Sequence, residues 1–277
     1  MDMPEARRRF AALIAQPQGE FRLAEAALLI AQEEYPEMSI PDYLAQFDAS
    51  AETVKTQLGF ELDPVRIVKG INTHLFDEKK LRGNRDDYYD PRNSFINEVL
   101  NRGLGIPITL SVAYIEVARL LGVPISGVGM PGHFIVQYKA QPEPFWIDPF
   151  DRGSILTHEQ CQARLLDMYG DKLPWNDAFL APISDQDILW RMLNNLKMVY
   201  AQLGEHRRAL GAIERMILIR PDLPSEIRDR GYVHYQLGHL QAALYDLRRY
   251  LELSQEAPDA PIIQRHIAAL QNQLETS

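Results

Sequence analysis

Apolar residues recur at three- and four-residue intervals over most of the chain, the spacing of helices that bury one face. Pro4 to Ala15 and Phe21 to Tyr35 carry this pattern, and the stretch Gln16 to Glu20, with Pro17 and Gly19, separates them. A third helix is predicted to start near Ser39 or Pro41, with Ser39 or Asp42 as cap. A fourth runs from Pro64 through Val65, Ile67, Val68, Ile71, Leu75 and Phe76. The segment RGNRDDYYDPRNS, residues 82 to 94, breaks the pattern; Asn93 or Ser94 then caps a short helix from Phe95 to Arg102. The next helix, Pro107 to Leu121, has Ile108, Val112, Ile115 and Leu120 among Leu110, Ala113 and Ala118, so it is largely buried. Pro107 suits a first turn, Gly105 lets the backbone turn in sharply, and Gly122 ends the helix. Two β-like runs follow, Ile125 to Met130 and His133 to Tyr138, broken by Pro131-Gly132, and a third, Pro144 to Ile147, ends on Asp148. Thr157 begins a further amphipathic helix.

From Asp185 onward only helical patterns remain, and two segments repeat. Leu203-Gly204 and Ala209-Leu210 recur as Leu237-Gly238 and Ala243-Leu244, each 34 positions on, the period of tetratricopeptide repeats. Helices are expected at 185–203, 205–219, 225–237, 239–254 and 260–274, the last as a solvating cap. Gly231 fits the small position of the second repeat, Lys197 departs from it in the first, and Pro221 falls where the first repeat ends. Two repeats and a cap are fewer than a free-standing solenoid needs, so the first repeat is expected to pack on the preceding domain. The fold class is therefore α+β. A helical N-terminal region and a core with a small antiparallel sheet occupy 1–183, and an all-α tetratricopeptide-repeat segment occupies 184–277.

Composition narrows the function. The 277 residues are 46% hydrophobic and 24% charged, ordinary for a globular chain, and the net charge of -9 argues against a nucleic-acid binder with a broad basic face. Local pairs such as Arg207-Arg208 and Arg248-Arg249 leave DNA a minority reading. The single cysteine, Cys161, excludes an intrachain disulfide and a cysteine-based structural zinc site. The N-terminus lacks the apolar core of a signal peptide, and no run approaches the roughly 20 apolar residues of a membrane span, so no membrane association and a cytoplasmic location are expected. Asp86, Asp87 and Asp90 lack the spacing of a calcium loop and are read as part of a capping loop, and lone His74 as structural or solvent-facing; no metal and no cofactor are expected.

A buried helix followed by strands carrying His133 and then Asp148 matches the order of a papain-like site. There a thiol at a helix N-terminus is activated by an imidazole that a carboxylate orients. A larger set of residues resembles the bacterial SirB family, which joins a transglutaminase-like core to C-terminal tetratricopeptide repeats. The match lies in Asp90-Pro91, Asn93-Ser94-Phe95, Asn97-Glu98-Val99-Leu100, Gly105-Ile106-Pro107-Ile108-Thr109-Leu110-Ser111, Tyr114, Gly122, Pro131-Gly132-His133-Phe134 and Ile147-Asp148-Pro149. Counted back from Gly122-Val123-Pro124, the resemblance puts the cysteine position at Pro107 or within a residue of it, so the nucleophile is missing. It makes His133 and Asp148 a catalytic-like pair and places Asn97 and Glu98 beside the cleft; the hydroxyls of Thr109 and Ser111 are candidate ligand contacts or N-terminal hydrogen bonds. Cys161 comes after both, in the wrong order for a nucleophile, and is read as a packing residue. The resemblance implies a non-catalytic regulatory module with a protein or peptide partner on the repeats, the family's name deriving from proteins described as regulators of invasion genes. The alternatives are a cysteine-independent hydrolase or acyltransferase using His133 as general base, and a structural adaptor whose cleft is a relic.

Overall fold

A computed structural model describes residues 3–17, 19–61, 63–139, 143–254 and 256–276. By contacts the chain forms two compact units, Met1–Met192 and Leu193–Ser277.

The first unit opens with helices α1 (Glu5–Ile14), α2 (Leu23–Gln32), α3 (Ile40–Leu58) and α4 (Pro64–Asn72). Ser39 caps α3 and Asp63 caps α4, each by accepting backbone N–H groups of the first turn. The fourth helix continues as a π-helical turn, Thr73–Glu78, which the periodicity did not predict. There His74 is only 3% exposed and its Nδ1 lies 2.7 Å from Glu78 Oε2. Two short parallel strands, β1 (Arg82–Gly83) and β2 (Leu104–Gly105), flank helix α5 (Ile96–Arg102). The expected caps Asn93 and Ser94 do not cap this helix. They sit in a tight turn, Pro91–Ser94, that Asp90 caps, and Phe95 precedes α5 without a side-chain cap.

Helix α6 (Pro107–Leu120) is the buried axis of this unit, every residue from Pro107 to Ala118 being inaccessible, while Leu120 at its end is 41% exposed. Burying each of its large apolar side chains contributes about 2 kcal/mol, which explains why a helix so apolar all round is stable only inside the unit. A four-stranded antiparallel sheet follows in simple order: β3 (Ile125–Val128), β4 (Ile135–Tyr138), β5 (Phe145–Asp148) and β6 (Ser154–Leu156). The fourth strand is one more than the three apolar runs predicted. Helix α6 packs on β3 and β4, and helix α7 (His158–Tyr169), begun by a capping box between Thr157 and Gln160, packs on β5 and β6.

Helix α8 (Asp185–Leu203) crosses the division between the units, and α9 (His206–Ile219), α10 (Pro224–Gln236), α11 (Leu240–Leu253) and α12 (Ala260–Thr276) complete the chain. Their bounds fall within two residues of the expected ones. Gly204 and Gly238, 34 positions apart, end α8 and α10 with φ of 72° and 75°. A Cβ at Gly231 would stand 3.0 Å from Leu247, so the small residue sets the close approach of α10 and α11. Ile227, Ala243, Leu247, Ile263 and Leu270 form the apolar core that α10, α11 and α12 share.

Candidate functional site

The sheet register brings the two predicted site residues together. Val136 pairs with Ile147, so the same ladder continued by one step sets Ile135 opposite Asp148, with His133 two residues further along and on the same face by strand alternation. His133 itself precedes β4, in the turn made by Pro131-Gly132, whose glycine has φ 67°. Its Nε2 lies 2.8 Å from Asp148 Oδ2. A carboxylate can only accept, so Nε2 carries the proton; Nδ1 is the outward acceptor and has no hydrogen-bond partner among the described residues.

Asp148 is fully buried and heavily partnered. Its Oδ1 accepts the backbone N–H groups of Phe150 (3.0 Å) and Asp151 (3.3 Å), which closes the turn after β5. Its Oδ2 accepts from Arg164 as well as from His133. Burial pushes the carboxyl up, but the hydrogen bond and charge of His133, the Arg164 guanidinium and the Asp151 N–H outweigh it and hold the group below the usual carboxylate range. Arg164 was not singled out in the sequence. It stands on α7, three residues after Cys161, and also reaches Asp151 at 2.8 Å. The reason is again alternation: Trp146, two residues before Asp148, packs with Cys161 and Leu165 of α7, so Asp148 faces that helix too.

Cys161 is inaccessible among Val128, Met130, Ile135, Trp146, Leu156, Leu165 and Leu180, and burial pushes its thiol up to about 12. A thiol held protonated in an apolar pocket is a packing group, not a nucleophile. At the position where the resemblance puts the nucleophile, Pro107 occupies the first turn of α6.

The remaining predicted contacts are enclosed. Thr109 Oγ1 accepts the Ile106 N–H (3.1 Å) and donates to the Asn93 carbonyl (2.7 Å), the N-terminal hydrogen bonding that was one of its two readings. Ser111 is inaccessible and Asn97 only 2% exposed, and Ser111 Oγ and Asn97 Oδ1 have no hydrogen-bond partner among the described residues. Glu98 is half-buried. None of these four bonds to His133 or Asp148 among the described residues. What does lie beside His133 is Phe150, edge-on at 6.1 Å between ring centroids. Gly83 of β1 lies under that ring so closely that a Cβ there would overlap it. Of the acids considered as cation ligands, Asp90 is taken by Arg92 and Arg102 at 2.9 and 3.0 Å, and no cluster of three metal-binding side chains occurs among the described residues.

An antiparallel sheet behind a buried helix, with imidazole and carboxylate at one end, is the architecture of a papain-like hydrolase or acyltransferase. The chain belongs to the Transglutaminase-like superfamily, whose family model matches residues 41–194, and a tetratricopeptide repeat model matches 196–268. A UPF0162 protein of Xylella fastidiosa is 37% identical over 255 residues, covering 91% of this chain and 90% of that protein. A UPF0162 protein of Vibrio cholerae is 30% identical over 197 residues, covering 71% and 73%. Human F-box only protein 21 is 30% identical over 261 residues, 82% of this chain but 40% of that longer protein. No described helix is long and apolar enough to cross a membrane.

Proposed function

We propose that this chain is a transglutaminase-like protein without thiol chemistry, a regulatory binding module of the SirB type. The His133–Asp148 end of the sheet receives a ligand in one half, 1–183, and the repeats of 184–277 engage a protein or peptide partner in the cytoplasm. The carrying observation is the fate of the nucleophile: proline stands at the first turn of α6, and the chain's single thiol is sealed in the α7 core with its proton held on. Arg164 supports the reading. It shares the Asp148 oxygen that orients His133, so the buried carboxylate is already neutralised before any ligand binds. The imidazole keeps one outward nitrogen, which can accept a hydrogen bond from an amide or hydroxyl of a ligand. Incubating the full chain with a panel of amides and activated esters tests this. The expected result is no turnover above that of His133→Ala and no covalent adduct on Cys161 by intact mass. Turnover that His133→Ala abolishes would instead establish cysteine-independent hydrolysis.

A further inference from the structure

The segment that packs on Phe150, the ring beside His133, carries a run of cations without a salt bridge among the described residues. Lys79, Lys80, Arg82 and Arg85 are all exposed, and none has a carboxylate partner among the described residues. The other arginines around the site are occupied: Arg92 and Arg102 by Asp90, Arg152 by Asp77, Arg164 by Asp148 and Asp151. Two exposed carboxylates, Asp86 and Asp87, share the stretch, so the cations outnumber them in a chain whose net charge is -9.

The same stretch holds aromatic surface in the open. Tyr88 is 39% and Tyr89 64% exposed. A row of rings runs inward from them: Tyr89 to Tyr88 at 5.3 Å, Tyr88 to Phe150 at 6.3 Å, and Phe150 to His133 at 6.1 Å. The Arg85 guanidinium lies 4.8 Å over the Phe150 ring. The loop that displays these groups is pinned from below. Buried Asn84 donates to Asn93 Oδ1 (3.1 Å), and buried Asn93 donates to the carbonyls of Asp87 (2.7 Å) and Tyr88 (3.2 Å). Aromatic rings and a guanidinium held over Phe150 but without a salt bridge, fixed in advance on a pinned loop, lower the ordering cost of a binding partner.

We propose that this ledge binds an acidic peptide segment, its side-chain carboxylates on Arg82 and Arg85 and its backbone across Tyr88 and Tyr89, directed toward His133. The proposal rests on reading the His133 end of the sheet as a binding cleft. Charge complementarity selects the occupant, since Arg82 and Arg85 offer forked donors that match a carboxylate. The chain's overall negative charge opposes this little, being screened beyond about 8 Å at physiological ionic strength. A nucleic acid fits less well. Its backbone brings a charge at every residue and would set phosphates against Asp86 and Asp87, whereas a peptide can space its carboxylates around them.

Fluorescence anisotropy with the full chain and labelled polyglutamate tests the ledge, with labelled oligothymidylate as competitor class. Polyglutamate is expected to bind, more weakly as salt rises, and the double variant Arg82→Glu with Arg85→Glu to lose about tenfold or more in affinity. Tyr88→Ala with Tyr89→Ala is expected to lose about threefold. Asp86→Asn with Asp87→Asn, which removes no contact of the fold, is expected to tighten binding; this arm reads the ledge even if the charge reversal misfolds. His133→Ala is expected to weaken polyglutamate less than the charge reversal does, most of the binding energy residing in charge outside the cleft. Loss of binding in His133→Ala with none in the charge reversal would keep the cleft and overturn the ledge. No binding of polyglutamate by the native chain, or tighter binding of oligothymidylate, would overturn the peptide proposal outright.

Discussion

Among the buried ion pairs of the molecule, one cluster in each unit is built in the opposite way to the other. In the first unit the anion Asp148 is surrounded by His133, Arg164 and two backbone N–H groups. In the second the cation Lys197 is held by Glu226 at 2.8 Å and Asp229 at 2.9 Å. Lys197 stands where a tetratricopeptide repeat has a small residue, so the repeat fills that space with a salt bridge between α8 and α10 instead of close helix contact. Both carboxylates stand on α10, so the cluster ties two helices together, with Arg228 on its outer side. The Asp148 cluster leaves the second imidazole nitrogen without a partner among the described residues, and that is what makes it a candidate site and the Lys197 cluster a buttress.

The largest expected effect is on the structural cluster. Lys197→Ala leaves the buried Glu226 without a counter-charge and Asp229 with Arg228 alone, which costs about 3 kcal/mol when one partner of a buried pair is removed. Urea unfolding of the full chain, followed through the helices of the second unit, is expected to show an earlier transition. Adding Glu226→Gln and Asp229→Asn to that variant is expected to recover part of the loss, and no recovery would mean that packing rather than charge fills the small position.

A smaller loss, about 1 to 2 kcal/mol, is expected for Asp148→Asn, which weakens charge-assisted bonds to His133 and Arg164 but keeps the shape of the turn. The pH dependence runs oppositely in the two clusters. Asp148 is depressed, so its contribution is complete above the unfolded value of about 3.9 and disappears as pH falls through the lower folded value. Burial lowers Lys197, but its bonds to Glu226 and Asp229 outweigh this and raise it, so its contribution is complete below the unfolded value of about 10.4 and is lost as pH rises through the folded one. Stability curves of native chain and Asp148→Asn are therefore expected to begin converging only below about pH 4 and to meet once pH has fallen through the lower folded value. A gap that persists there would assign the effect to neutral hydrogen bonding.

The two regions also differ in how far their residues announced them. The repeats were legible because each contact of a solenoid is local, so a 34-residue period in Gly204, Gly238 and their apolar neighbours carries the helices almost to the residue. His133 and Asp148 were legible as a pair because one falls just before a strand and the other at the end of the next, and antiparallel pairing of those strands brings them together. Arg164 was not, since an arginine on an amphipathic helix reads as solvent-facing until tertiary packing turns it onto a buried carboxylate. The 82–94 segment was legible as a loop, but its display of Tyr88 and Tyr89 was not: Asn84 and Asn93 look like turn residues, and only their side-chain bonds pin the rings in place.

The smallest expected effect sharpens the contrast between periodic and singular parts of the chain. Gly204 and Gly238 share a left-handed backbone, φ 72° and 75°, and a Cβ on either would meet nothing within 4 Å. An alanine at each position therefore pays only for the strained backbone, about 1 kcal/mol, and because the two glycines end equivalent helices the two costs are expected to agree. Chemical denaturation of Gly204→Ala and Gly238→Ala checks this. If Gly204→Ala were clearly the more costly, the first helix–turn would be doing something beyond its repeat, and the local account of the second unit would have to yield to a tertiary one.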